Sequence, residues 1–181
     1  MLQVKGVTDG GRTARPMKTI AVLGGGLMGS GIATALALAG VSVIVKEVDQ
    51  KFLDAGIARI EANLASRVKK KAMTADAKAK AMGLVKGTLS YDDFGAVDMV
   101  IEAAVERVDL KQKIFADLDK ACRNDCVLAT NTSTIDLNLI SAKAKHAAGR
   151  VVGAHFFSPA HVMPLLEIVR TEHTTAQVRY I

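Results

Sequence analysis

Thr19 to Gly31, TIAVLGGGLMGSG, constrains this chain more than any other stretch. The apolar run Ile20-Ala21-Val22-Leu23 breaks into Gly24-Gly25-Gly26, and small residues at helical spacing follow from Leu27 to Ala39. Strand, glycine turn and helix start therefore succeed one another without a linker. Gly24, Gly26 and Gly29 fit the G-x-G-x-x-G spacing of a dinucleotide site. Gly24 permits the tight turn. Gly26 lets a pyrophosphate approach the backbone, and Gly29 lets the helix pack close to the strand. The free N–H groups of the helix start then face the phosphates.

The second strand is expected from Val41 to Val45. Glu47 follows it, 23 residues after Gly24. A carboxylate there hydrogen-bonds the adenosine ribose hydroxyls and repels a 2′-phosphate, so NAD is favoured over NADP. The neighbouring Lys46 points to the other side of the strand. Asp49 is expected to cap a long helix whose apolar face is Leu53, Ile57, Ile60, Leu64 and Val68. Thr74 starts a second helix reaching about Val85, and a short strand is expected at Gly87 to Ser90. This helical pair interrupts the strand–helix alternation and reads as an insertion or arm.

Further strands are expected at Met99–Ala103, Cys126–Ala129, Val151–Phe157 and Leu165–Val169, with helices at Leu110–Cys122 and Ile135–Ser141. Thr174 could cap a last helix. The fold class is α/β: a Rossmann-like, doubly wound, mainly parallel sheet with a helical-pair insertion and an added antiparallel strand pair. The polar run Thr130-Asn131-Thr132-Ser133-Thr134 stands at a strand's carboxyl end, where parallel α/β sheets bind ligands.

The stretch from His155 to Glu167 holds two strands around a loop with two prolines. Antiparallel pairing about residue 161 sets His155 beside Glu167. A carboxylate on a buried imidazole fixes its tautomer and stabilises the imidazolium, which makes His155 a general base. His161, at the loop apex, reads as exposed and incidental.

Composition narrows the function. Aromatic residues make up 4% and Trp is absent, so a stacking surface for single-stranded nucleic acid is not expected. No apolar run approaches the about 18–20 residues of a membrane span. Cys122 and Cys126 lack a second pair at zinc spacing and read as free thiols; no metal site is expected. The net charge of +6 is uneven: Lys46 to Lys86 carries ten Lys or Arg against five Asp or Glu. Such a segment suits a polyphosphate ligand such as coenzyme A.

Taken together, GGGLMGSGIA, the acidic end of strand two, EAAVE followed by Lys111, NTST, and HFFSP with its later Glu resemble the NAD-binding domain of L-3-hydroxyacyl-CoA dehydrogenases. The likeness runs from about Lys18 to the end. KEVD, MVIEA, ATNTSTIDLN and GAHFFSPAHVMPLLEIVRT are most similar to plant peroxisomal multifunctional proteins of fatty-acid β-oxidation. The resemblance implies oxidation of L-3-hydroxyacyl-CoA to 3-oxoacyl-CoA with NAD. His155 would be the base, Glu167 its orienter and Ser133 a contact to the substrate hydroxyl. NAD would be held by Gly24, Gly26, Leu27, Met28, Gly29, Glu47, Ala103, Glu106, Lys111, Asn131 and Ser133. Lys70 and Asn63 would meet coenzyme A, although Asn63 stands where many relatives have Ser, and Ser158 where many have Asn.

The resemblance also implies a hydratase/isomerase domain before residues 1–17, which read as a linker, and a helical domain after residues 18–181. That second domain supplies a catalytic Asn and dimer contacts. The chain accordingly reads as a fragment that binds NAD with little turnover, and as peroxisomal by resemblance alone. The competing readings are a non-catalytic NAD- or RNA-binding module, and another Rossmann dehydrogenase of the 2-hydroxyacid or 6-phosphogluconate type.

Overall fold

The computed structural model describes residues 15–175 and Val178. Five strands and four helices come first: β1 (Thr19–Leu23), α1 (Leu27–Leu38), β2 (Ser42–Lys46), the pair α2 (Gln50–Lys69) and α3 (Ala75–Met82), β3 (Val85–Thr88), β4 (Met99–Glu102), then α4 (Val108–Ala121) and β5 (Val127–Thr130). The short α5 (Leu137–Ser141), β6 (Val151–Phe156) and β7 (Leu166–Val169) complete it. The sheet has the order β3-β2-β1-β4-β5-β6-β7. Every pairing is parallel except β6 with β7. The chain runs outward from β1 to β2 and β3, then returns to the other side of β1 with β4. This reversal opens a crevice at the carboxyl ends of β1 and β4, where such sheets take ligands.

Alternation along the strands fills two cores, one on each face. Ile20, Val22, Val43, Val45 and Ile101 pack with Ile32, Leu53, Ile60 and Leu64 of α1 and α2. Ala21, Leu23, Ile44, Val100 and Leu128 pack with Phe94, Phe115 and Leu118 on the opposite face. The α2–α3 pair is thus no loose arm. Leu53, Ile60 and Leu64 are buried, and each buried Leu or Ile contributes about 1.5–3 kcal/mol. Asp49 caps α2, its carboxylate accepting from the Phe52 N–H at 2.9 Å, and Thr74 caps α3 through the Ala77 N–H at 3.1 Å.

Several boundaries differ from the sequence expectation. α3 stops at Met82 and the next strand starts at Val85, not Gly87. Gly83 ends the helix, and Val85 pairs with Val43. Gly87 lies inside β3 because α2 lies close above it: a Cβ there would meet both Leu53 methyl carbons at 3.0 Å. α5 begins at Leu137 and not Ile135, since Asp136 caps it through the Asn138 N–H. The helix expected after Thr174 falls, apart from Thr175 and Val178, outside the described residues; the Thr174 hydroxyl donates to the Val151 carbonyl at 3.3 Å.

The entry to β1 is pinned from below. Asp98 accepts from the Lys18 and Thr19 N–H groups at 2.7 and 3.0 Å and pairs with Arg123. Burial pushes the Asp98 carboxyl up, but these donors outweigh it and hold it below the usual range. Arg15 joins Asp125 and donates to its carbonyl at 3.0 Å, so a residue of the segment read as a linker already contacts the domain.

Candidate active site

The glycine turn is built by close approaches. Gly24 has φ +96°, and a Cβ there would sit 2.8 Å from the Ala103 carbonyl oxygen at the end of β4. A Cβ on Gly29 would lie 1.8 Å from the Gly24 carbonyl oxygen, so no larger residue lets α1 rise from this turn. Gly25 and Gly56 bring α2 onto the turn, each blocking a Cβ on the other at 2.9 Å. At Gly26, by contrast, a Cβ would meet nothing within 4 Å. Gly26 is also the N-cap of α1, with no side chain occupying the first N–H groups. A cradle open at Gly26 and closed elsewhere fits the pyrophosphate of a dinucleotide. Leu27 is exposed and Met28 partly packed beside it, both at the mouth.

Glu47 turns toward this mouth. Its carboxylate accepts from the Gly25 N–H at 2.6 Å and the Val48 N–H at 3.1 Å. Lys46 faces away, its ammonium 4.4 Å from the centre of the Tyr91 ring, and burial lowers its pKa. Alternation along β2 thus separates the two charges, as expected from the sequence.

The end of β4 holds a cluster whose buried member, Glu102, the sequence reading missed. Glu102 and Lys111 are side by side with side chains 0% and 1% exposed, the ammonium 2.7 and 2.8 Å from the two carboxylate oxygens. The Thr130 hydroxyl and the Ala104 N–H also donate to Glu102, at 2.6 and 2.7 Å. Lys111 is therefore paired internally. It reaches the more exposed Glu106 at 3.8 Å, and the Thr132 hydroxyl donates to Glu106 at 2.9 Å. The available signal was a Glu inside the apolar run MVIEA with a Lys on the following helix. Glu106 is the member left open to a ligand.

Asn131 ties this region to the next strand, its side-chain oxygen accepting from the Phe156 N–H at 2.9 Å. Ser133 is exposed, with no hydrogen bond to its hydroxyl among the described residues. The His155–Glu167 register is as expected, and the carboxylate lies 2.9 Å from Nδ1. This bond leaves Nε2 free to exchange a proton. The pair is not buried, however: the side chains are 23% and 54% exposed. β7 is the sheet edge and all four of its residues are exposed.

His161 is likewise not at an exposed apex. The Val162 and Met163 N–H groups donate to the Pro159 carbonyl, and this turn lays Ala160 and His161 against Gly31 of α1. Its Nδ1 is buried without a hydrogen-bond partner. Burial, then the charges of Arg67 and Lys70, lower its pKa. Asn63 donates to the Thr34 hydroxyl at 3.1 Å and lines the same cleft as His161, whereas Lys70 lies exposed at the end of α2.

The family model for the NAD-binding domain of 3-hydroxyacyl-CoA dehydrogenase matches residues 19–179. The chain belongs to that family. It is 61% identical over 176 residues to a glyoxysomal fatty-acid β-oxidation multifunctional protein of Brassica napus and, equally, to a peroxisomal one of Arabidopsis thaliana. These alignments take in 97% of the chain but 24% of each relative, so the chain spans about a quarter of their length. Among solved structures, a 3-hydroxybutyryl-CoA dehydrogenase of Escherichia coli matches with a TM-score of 0.87 at 38% identity, over 91% of this chain and 35% of that one. The dehydrogenase part of a multifunctional enzyme of Caenorhabditis elegans matches with 0.81 at 30% identity, over 91% and 37%. The resemblance and fold class drawn from the motifs are thereby borne out, and NAD is the cofactor of this dehydrogenase family. Among the described residues no helix is long and apolar enough to cross a membrane.

One consequence for the NAD cradle is testable. Gly56→Ala places a methyl group 2.9 Å from the Gly25 Cα and 3.2 Å from its carbonyl oxygen. Backbone must shift, so we expect about 1–3 kcal/mol of lost stability together with weaker NADH binding. Urea denaturation and NADH fluorescence titration of the same variant check both.

Proposed function

We propose that the protein carrying this chain oxidises L-3-hydroxyacyl-CoA to 3-oxoacyl-CoA with NAD⁺, within peroxisomal fatty-acid β-oxidation. The observation that carries this reading is the His155–Glu167 pair, 2.9 Å apart, beside the Asn131 loop and at the same carboxyl end of the parallel strands as the glycine cradle. Bound NAD⁺ supplies the hydride acceptor. His155 Nε2 takes the proton of the C3 hydroxyl as the C3–H bond breaks, leaving a C3 carbonyl. Glu167 holds the ring through Nδ1 and offsets the imidazolium charge. The free Ser133 hydroxyl reaches the substrate oxygen, with Asn131 near the nicotinamide. Glu106, positioned by Lys111 and Thr132, serves the cofactor, as do Leu27, Met28 and Ala103 at the turn. Lys70 and Asn63 meet coenzyme A.

The short alignment share in longer relatives supports fusion to further chain; in this reading a hydratase/isomerase precedes residues 18–181, with 1–17 as connector, and a helical domain follows them. The test is acetoacetyl-CoA-dependent NADH oxidation by this chain joined to the following helical domain. Turnover by the joined protein, with NADH binding but little turnover by the 181-residue chain, is the expected result. Appreciable steady-state activity of the chain alone would contradict the division of the site.

Glu47 sets the choice between NAD and NADP in this reading. Glu47→Ser removes a charge-assisted acceptor worth about 1.5–3 kcal/mol and the repulsion of a 2′-phosphate. NADH affinity should fall by at least about tenfold while NADPH affinity rises. Fluorescence titration with both cofactors checks the crossover.

A further inference from the structure

Cys122 and Cys126 take no part in the site described above. They lie at the opposite end of the sheet, Cys122 as the C-cap of α4 and Cys126 immediately before β5. Both thiols are free and buried in the same core cluster, the residues 6% and 0% exposed. The turn between them folds one toward the other, the Cys126 N–H donating to the Arg123 carbonyl at 3.1 Å. Arg150 clamps this turn, its guanidinium donating to the Arg123 and Cys126 carbonyls at 2.9 and 3.3 Å. Asn124 and Asp125 at the tip are exposed, so the thiols lie just beneath the surface. The two thiols hydrogen-bond each other, and they are unequal. That bond holds Cys122 below its ordinary range; burial opposes it, the Arg150 charge assists and Asp119 opposes. The same bond and burial push Cys126 well up. Cys122 is thus biased toward the nucleophilic thiolate while its neighbour keeps a proton.

We propose that Cys122 and Cys126 are a peroxide-reactive pair that closes reversibly into a disulfide, Cys122 attacking and Cys126 resolving. The Cys122 thiolate attacks one oxygen of hydrogen peroxide. An S–O bond forms, the O–O bond breaks, and the departing hydroxide takes up a proton as water. The Cys126 sulfur then attacks the Cys122 sulfenic sulfur. The S–S bond forms, the S–O bond breaks, and the second oxygen leaves as water with the Cys126 proton. Each sulfur gives up one electron and the peroxide gains both. Arg123 and Asp125 lie inside the loop so closed, and they hold Asp98 and Arg15 respectively. Oxidation therefore bears on the entry to β1, at the far end of the strands from the dinucleotide cradle.

The experiment exposes the intact protein carrying this chain to a modest excess of hydrogen peroxide, blocks the remaining thiols with iodoacetamide and maps the tryptic peptides. Cleavage after Lys120, Arg123 and Lys143 puts the two cysteines on separate peptides, so their disulfide appears as a linked pair. We expect both separate peptides to be lost in favour of that pair and to return with dithiothreitol. In Cys126→Ala, dimedone should label Cys122 as the sulfenic acid; in Cys122→Ala, Cys126 should stay unlabelled. The wild-type peptide map decides by itself should either variant fail to fold. Persistence of both free thiols under peroxide, or linkage of either to any other cysteine, overturns the pair. Dimedone on Cys126 in Cys122→Ala overturns Cys122 as the attacking thiol.

Discussion

His155→Gln is expected to lower the turnover number for acetoacetyl-CoA reduction by about 10²–10⁴-fold, with the Kd for NADH unchanged. Gln keeps a polar group of similar reach but cannot exchange a proton near neutral pH. The structure explains why the loss should fall on turnover. His155 stands on β6, across the sheet edge from the cradle at β1, and its bonded partner is Glu167 on β7. None of the turn-forming contacts at Gly24, Gly25 or Gly29 involves it. Steady-state rates alongside NADH titration separate the two effects. Retention of the full rate would remove His155 as the base.

The largest stability effect is expected from Lys111→Met, about 3–5 kcal/mol out of the about 5–15 kcal/mol that typical domains possess. The substitution removes the ammonium and leaves the Glu102 carboxylate buried at the end of β4, beside Thr130 of β5. Thr130 and Ala104 still donate to it, but neither carries charge. Adding Glu102→Gln should recover part of the loss, since the amide oxygen can accept those two bonds without a buried charge. The urea midpoint of single and double variants measures this. The same variants distinguish two roles for Lys111. A fully folded Lys111→Met protein that merely lost NADH affinity would mark Lys111 as a direct cofactor ligand; the buried pairing predicts unfolding first.

Most of the sheet was legible because buried parallel strands are short apolar runs bounded by glycine and polar residues. Ile20–Leu23, Val43–Val45 and Val100–Ile101 carry that pattern directly. The Asp49 and Thr74 caps were legible too, since a short acceptor before a helical run has one local use. The register of β6 and β7 followed from the symmetric placement of His155 and Glu167 about their loop. The missed features are all set by tertiary neighbours. Val85 looks helical until Val43 is beside it. Glu102 looks like a solvated strand end until Lys111 comes over it from α4. His161 looks exposed until Gly31 makes room for it. The depth of the His155–Glu167 pair was misjudged for a similar reason: its pairing is local, whereas its burial depends on what lies beyond the edge strand.

The Glu167 carboxylate therefore sits on an exposed edge strand of the sheet. Edge strands exchange their amide hydrogens through local openings that need far less free energy than global unfolding. A brief fraying of β7 would carry Glu167 away from His155 and leave the imidazole free to change tautomer, while the dinucleotide cradle at the sheet centre stayed intact. If His155 is the base as proposed, cofactor affinity and proton transfer would be lost independently, the second at a much milder perturbation than the first.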